Sequence, residues 1–293
     1  MSRCATPILL VTGLLVSGCC AFTIQPRETA VFVAHRGASA SAPENTIPAF
    51  LLAFKHGADF IEGDVRLTLD KHIVCIHDPD TERVTGGLQN LTVKTSTLEQ
   101  LKALDVGAWK GPKYKGTRIP TLAEVLAKIP DGKGIYIEIK DPDVVEHLKP
   151  VLQAARLRRE QLVVIAFDPH VIKAVKDQKL DAKVLWLYWW YHDEKTGQLS
   201  NTVDEILYVA KDIGADGIDI NNSRRVNEEF ACRVRRADLE LHVYTVNYMH
   251  DAVRLMGLGV DSITTDRPKE LRNEVQDFLN IRIGHSDSDE SLK

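Results

Sequence analysis

FIEGDVRLTLDKHIVCIH, residues 60–77, decides how this chain is folded. Phe60–Val65 and Ile73–His77 both read as strands, and only Arg66–His72 separates them. A crossover between parallel strands takes a dozen or more residues, so these two form an antiparallel hairpin. Its turn falls at Leu69-Asp70-Lys71-His72, which sets His77 roughly opposite Asp64. Seven further strand candidates follow the same apolar pattern: Val31–His35, Ile135–Lys140, Leu162–Phe167, Val184–Leu187, Gly217–Ile220, Leu241–Val246 and Ser262–Thr265. Amphipathic helix-length runs lie between most of them, among them Asn45–His56, Val144–Arg158, His170–Gln178, Val203–Ile213, Asn227–Arg236 and Asp251–Leu258. Alternation of this kind implies a parallel sheet. With the hairpin's second strand set aside at the rim, eight strands remain. The predicted fold is an α/β TIM-type (β/α)8 barrel, a single domain of about 250 residues.

That domain spans residues 29–275. Residues 78–120 interrupt it with a long stretch lacking clear periodicity, which leaves directly from His77 and reads as an inserted lid or cap. Residues 284–293 are rich in Ser and Asp and read as a disordered tail.

The 293 residues are 44% hydrophobic and 27% charged, ordinary globular values. The net charge of −4 and pI near 6.2 provide no basic field for nucleic acid, so any anionic substrate must meet local positive charge. Arg3, the short apolar run Ile8–Val16 and the small residues Ser17 and Gly18 read as a signal peptide over residues 1–18. An apolar run this short is not a bilayer span. Val16-Ser17-Gly18-Cys19 resembles a bacterial lipobox with Cys19 as the lipidated residue; the plainer reading is an ordinary cleaved signal. Either reading places the protein outside the cytoplasm, in the periplasm or at the cell surface, and the first adds a membrane anchor. Cys75 and Cys232 lie far apart within predicted elements, so no disulfide framework is expected.

Glu62 and Asp64 are two apart on one strand, so both carboxylates face the same way. Glu138 and Lys140 repeat the pattern in Ile135–Lys140. Taken singly, each acidic group has the simple reading of a buried salt bridge to Lys140 or an arginine. Taken together, Glu62, Asp64 and Glu138 make an oxygen-only site, which selects a hard cation, Mg²⁺ or Ca²⁺, over zinc. His35 and His77 end two strands at the same rim. One histidine there is more often structural; two beside three carboxylates suit acid–base work near neutral pH. Arg36 offers a bidentate fork for a phosphoryl group, Lys140 a point charge, and Gly37 a close backbone approach. The aromatic run Trp186–Tyr191 reads either as core packing or as an apolar wall at the rim. Asp219, Asn221 and Asn222 read as hydroxyl-binding or helix-capping residues.

These residues, in order, carry a family resemblance. His35-Arg36-Gly37, Pro43-Glu44-Asn45-Thr46, Glu62-Gly63-Asp64-Val65, His77-Asp78 and Glu138-Ile139-Lys140, supported by Ile119-Pro120-Thr121-Leu122, Thr245-Val246-Asn247 and Thr265-Asp266-Arg267-Pro268, resemble the glycerophosphodiester phosphodiesterases over roughly residues 29–272. The resemblance implies metal-dependent hydrolysis to glycerol 3-phosphate and an alcohol. It makes His35 and His77 the acid–base pair, Glu62, Asp64 and Glu138 the ligands of one divalent cation, and Arg36 and Lys140 the phosphate contacts. Glu44 and Asn45 would support the site, and the insertion would contact the glycerol end. One difference lies at His242-Val243-Tyr244-Thr245, where many members carry a tryptophan. The implied substrates are small glycerophosphodiesters or lysophospholipids. The rival readings are a lysophospholipase D or sphingomyelinase-D-like enzyme on the same barrel, and a non-catalytic surface-binding lipoprotein.

Overall fold

The structure, a computed structural model, describes residues 30–191, 196 and 200–290 (for 282–290, the backbone alone). The predicted signal segment and Cys19 lie outside the described residues. Among the described residues nine strands form one sheet: β1 (Val31–Ala34), β2 (Phe60–Leu67), β3 (Ile73–Cys75), β4 (Gly134–Ile139), β5 (Leu162–Ala166), β6 (Lys183–Tyr188), β7 (Gly217–Asn221), β8 (Glu240–Tyr244) and β9 (Ser262–Thr265). Eight of them are parallel neighbours around a closed ring, because β1 pairs with both β9 and β2. β3 lies outside that ring, antiparallel to β2, as the short link requires.

The hairpin register differs by one from the sequence expectation. Leu69, Asp70 and Lys71 form the loop, closed by the Thr68 N–H donating to the His72 carbonyl at 2.9 Å, with Lys71 in the left-handed region at φ 65°. An odd loop centres the hairpin on Asp70, so Asp64 faces Ile76 rather than His77, and the Ile76 N–H donates to the Asp64 carbonyl at 3.0 Å. His77 therefore follows the paired segment.

Strand alternation separates two apolar layers. On β4, Ile135, Ile137 and Ile139 face outward into the core shared with the helices, while Tyr136 faces inward. Val33, Tyr136, Val163, Ile165, Leu185 and Leu187 fill the barrel interior beneath the site. The outer layer is made by α1 (Ile47–Lys55), α3 (Leu122–Leu126), α4 (Val145–Ala155), α5 (Pro169–Asp177), α6 (Val203–Asp212), α7 (Glu228–Arg236), α8 (Met249–Gly257) and α9 (Pro268–Glu290). Thr46, Thr121, Asp168, Thr202 and Asn227 cap five of these helices by accepting from backbone N–H groups. α9 continues to Glu290, so residues 284–290 extend a helix where the sequence suggested a disordered tail; no proline follows Pro268 to stop it. Cys75 and Cys232 are both buried, in β3 and α7. Among the described residues no helix is long and apolar enough to cross a membrane.

Residues 78–120 form a compact cap made of 3₁₀ turns and one short helix, α2 (Leu98–Lys102). Its apolar side chains Val84, Val93, Leu101, Leu104, Val106 and Ile119 cover Val74 and Ile76 of the hairpin in a separate cluster. The chain enters the cap after Ile76 and returns beside it: the Cys75 N–H donates to the Pro120 carbonyl at 2.9 Å, and Val74 bridges Thr121.

Gly37 has a different role from the one its motif suggested. Its φ is 80°, and a Cβ there would lie 2.7–2.9 Å from the backbone and Cβ of Ala49 in α1. The glycine is required by the packing of α1 against the end of β1, whatever it allows a ligand to do. Gly37→Ala should destabilise the fold by about 1–3 kcal/mol, read as a lowered unfolding midpoint. An unchanged midpoint would show that α1 shifts freely.

Candidate active site

The site lies at the C-terminal ends of β1, β2, β4 and β9, and strand register brings its members together. Asp64 is opposite Glu138 across the β2–β4 pair. Ala34 is opposite Thr265 across β1–β9, so the next residues, His35 and Asp266, meet. Glu62, Asp64 and Glu138 are all buried, and each offers an oxygen within 4.8 Å of the others.

Three carboxylates this close and this dry cannot all ionise without compensation. Asp64 has the most help: Asn45 donates to it at 2.7 Å, Arg36 Nε lies at 3.3 Å and Lys140 Nζ at 3.6 Å. Burial works against its ionisation, yet Arg36, Lys140, His77 and Asn45 together hold its pKa below the ordinary value. Glu138 accepts from Lys140 at 2.7 Å, but burial and Asp64 push it up to about 7. Glu62 accepts from the Arg36 N–H at 2.7 Å, and burial, Asp64 and Glu138 raise it well above the ordinary range. The salt bridges expected of a purely structural network are therefore present. They leave a remainder: Glu62 Oε1 and Asp64 Oδ1 are buried without a hydrogen-bond partner. An orphaned buried acceptor costs about 1–3 kcal/mol, more when charged. An all-oxygen cluster with two such atoms fits a hard divalent cation.

Both histidines are oriented by carboxylates. His35 Nδ1 donates to Asp266 Oδ1 at 2.7 Å, and Asn247 and Ser39 donate to the same Asp266 carboxylate at 2.6 and 3.2 Å. His77 Nδ1 donates to Asp78 Oδ1 at 2.6 Å. A carboxylate only accepts, so each ring carries its proton on Nδ1 and keeps Nε2 for other work. Burial lowers the pKa of His77, against the pull of Asp64 and Asp78. Burial alone would raise Asp266 and Asp78, but their hydrogen-bond donors bring both down to about 2.

Arg36 Nη1 donates to Glu44 at 3.0 Å, and Asn45 both donates to and accepts from Asp64. Arg36 and Asn45 both adopt left-handed backbone, at φ 54° and 56°, held by the Asn45 N–H donating to the Arg36 carbonyl. Such conformations in non-glycine residues store strain and gather at functional sites.

Several partners had no assigned role in the sequence reading: Asp78, Asp266, Asn247 and Arg83. Asp78 follows His77 in the chain, Asp266 meets His35 only through barrel closure, and Asn247 holds Asp266. Of the strand-end trio, Asn221 accepts from the Trp190 N–H at 2.6 Å and Asn222 bonds Asp251 and Arg254, both structural roles. The cap of α7 is Asn227 instead. Asp219 is buried with Oδ1 unpartnered, and burial plus Glu138 raises its pKa well above the ordinary range.

The crowding predicts a pH dependence. A carboxyl held near 7 in the folded state and near 4.5 unfolded favours folding at low pH, and loses that advantage as pH rises between those values. The metal-free protein should therefore lose stability over that range. A bound cation replaces the proton. The rise in unfolding midpoint on adding Mg²⁺ or Ca²⁺ should thus be larger at about pH 8 than at about pH 5. Equal gains at both would contradict a Glu138 carboxyl held near 7.

Comparison with known proteins gives one answer. The model of the glycerophosphoryl diester phosphodiesterase family matches residues 35–270. A glycerophosphodiester phosphodiesterase from Caldanaerobacter subterraneus is 33% identical over 262 residues, covering 83% of this chain and 97% of that protein. One from Bacillus subtilis is 31% identical over 253 residues, covering 80% of this chain and 83% of its own. In fold, the chain is similar to an Oleispira antarctica phosphodiesterase solved with sn-glycerol-3-phosphate, at a TM-score of 0.72, 24% identity, and coverage of 84% of this chain and 96% of that one. With that match laid over a closed barrel and an intact set of motif residues, the chain belongs to the glycerophosphoryl diester phosphodiesterase family and is a phosphoric diester hydrolase.

Proposed function

We propose that this enzyme hydrolyses a glycerophosphodiester to glycerol 3-phosphate and an alcohol, using His35 and His77 as its acid–base pair and one divalent cation, Mg²⁺ or Ca²⁺, on Glu62, Asp64 and Glu138. The observation that carries this reading is the pairing of two carboxylate-oriented imidazoles with a three-carboxylate cluster that has two orphaned oxygens. The product found in the Oleispira antarctica structure supports the same chemistry.

The chain's own groups divide the work. Arg36 and Lys140 face the carboxylate cluster from just beyond the ends of β1 and β4 and would hold the non-bridging oxygens of the phosphodiester. One imidazole Nε2 takes a proton from the attacking water as the new P–O bond forms. The other, starting as the imidazolium with both nitrogens protonated, delivers its Nε2 proton to the departing alkoxide as the old P–O bond breaks. Asp266 and Asp78 keep each ring in the required tautomer and stabilise it when it becomes cationic, as a carboxylate partner does in other histidine-based hydrolases. The cation, when bound, supplies counter-charge to the phosphoryl oxygens.

The test is release of glycerol 3-phosphate from glycerophosphocholine, with and without EDTA and with Mg²⁺ or Ca²⁺ restored. Chelation should abolish release and one of the two cations should restore it. His35→Ala and His77→Ala should each lower kcat by about 10²- to 10⁴-fold while cation binding persists. Glu62→Ala and Glu138→Ala should instead weaken cation binding. Turnover at the wild-type rate in either histidine variant would sink the mechanism.

A second reading concerns the alcohol. Trp186, Tyr188 and Trp190 are buried, in the core packing that strand alternation allows, whereas Trp189 and Tyr191 are exposed, at 57% and 54%. Trp189 and Phe167 flank Tyr244, with ring centroids 6.5 and 6.1 Å away, and Lys140 Nζ lies 5.8 Å from the Phe167 ring centre. An open aromatic wall beside a phosphate-binding lysine suits a bulky apolar alcohol and favours lysophospholipids. Trp189→Ala should then lower kcat/KM for lysophosphatidylcholine about tenfold more than for glycerophosphocholine. Equal losses on both would remove the wall from substrate selection.

A further inference from the structure

Arg83 belongs to the cap, not to the barrel, yet it touches both halves of the machinery. It opens the 3₁₀ turn Arg83–Thr85, and the next residue, Val84, is buried in the cap's apolar cluster, which fixes where the guanidinium starts. Arg83 Nε donates to Asp78 Oδ2 at 2.6 Å. Its Nη1 and Nη2 donate to the two oxygens of Glu44 at 2.7 and 2.9 Å. Asp78 uses its other oxygen to accept from His77 Nδ1, and Glu44 also accepts from Arg36 Nη1. An unbroken chain of charge-assisted hydrogen bonds thus runs from His77 through Asp78, Arg83 and Glu44 to Arg36, which lies 3.3 Å from Asp64.

We propose that Arg83 is a positioning residue that fixes the imidazole of His77 and the guanidinium of Arg36 in a single geometry once the cap is docked. This rests on the reading that His77 and Arg36 act on the phosphodiester. The argument is geometric. Asp78 and Glu44 are two carboxylates that need a common cation. Only a planar fork reaches both, with one edge for Glu44 and Nε left for Asp78; a lysine is a point charge and spans one. Without the fork, Asp78 is free to rotate away from His77, and Glu44 is left with Arg36 alone and pulls it from the phosphate. The cap has two further holds on the same β1–α1 loop: Lys110 donates to the Ser39 carbonyl at 2.7 Å and Tyr114 to the Ser41 carbonyl at 2.8 Å. These hold the cap in place when Arg83 is changed, so the loss is one of alignment.

The experiment uses the full chain, glycerophosphocholine and the restoring cation. Arg83→Gln and Arg83→Lys should each lower kcat about 10- to 100-fold, the range seen when groups that orient first-line residues are removed, with cation affinity within about twofold of wild type. In an Asp78→Asn/Glu44→Gln background, Arg83→Gln should lower kcat by less than about threefold further, because both links it supports are already cut. Guanidinium ion should restore part of the kcat of Arg83→Ala. A merely structural arginine would show neither the sub-additivity nor the rescue, and the rescue arm stands even if one variant folds poorly. Wild-type kcat in Arg83→Gln, or the same loss in both backgrounds, overturns the proposal while leaving His77 catalytic. Wild-type turnover in His77→Ala overturns the catalytic reading and this proposal with it.

Discussion

Three carboxylates buried within 4.8 Å of one another are the constraint to which the rest of this molecule answers. Left alone they would repel or take up protons, and a fold that buries them must surround them with compensation. Arg36, Lys140, Asn45 and the Arg36 backbone N–H provide it, each from a different position around the cluster. The compensation is incomplete, and the incompleteness is informative. It leaves Glu62 Oε1 and Asp64 Oδ1 without a hydrogen-bond donor, with only the Lys140 ammonium, 3.6 Å away, facing the second of them. The strained backbone at Arg36 and Asn45 belongs to the same account, since both residues are bent into the left-handed region to reach the cluster.

Barrel closure is what turns distant sequence into one site. His35 and Asp266 lie at opposite ends of the domain and become neighbours only because β1 pairs with β9. Glu138 reaches Asp64 through the β2–β4 pairing, past the whole cap. The interior beneath is filled by Val33, Tyr136, Val163, Ile165, Leu185 and Leu187, so the polar groups rest on a dry floor that keeps their interactions strong.

Much of this was legible in the sequence because it depends on local patterns. All nine strands, the hairpin forced by a short link, and the inward placement of Glu62, Asp64 and Glu138 follow from alternation and loop length. What was not legible depends on geometry that alternation does not encode. The loop Leu69–Lys71 has an odd number of residues, which moved the register by one and placed Ile76, not His77, opposite Asp64. Gly37 looked like a phosphate-approach glycine, yet its missing Cβ makes room for Ala49. The partners of Asp266 and Asp78 are set by the folded chain, where each carboxylate meets the Nδ1 of a histidine. Arg83 lay in a segment with no periodicity, where sequence offers no way to say which way a side chain points. Residues 284–290 read as a polar tail by composition, while their backbone continues α9.

The cap leaves the barrel after Ile76 and rejoins it at Pro120, and the two crossings sit side by side, joined by the backbone hydrogen bond from Cys75 to Pro120. A segment with adjacent ends behaves as a graft: its length and contents change the closure entropy only slowly, and the host strands keep their register. Its own apolar cluster packs it on the hairpin. The molecule is thus a host and a graft with separate apolar interiors, and Arg83 is the stitch between them, bonded to Asp78 beside His77 and to Glu44 beside Arg36.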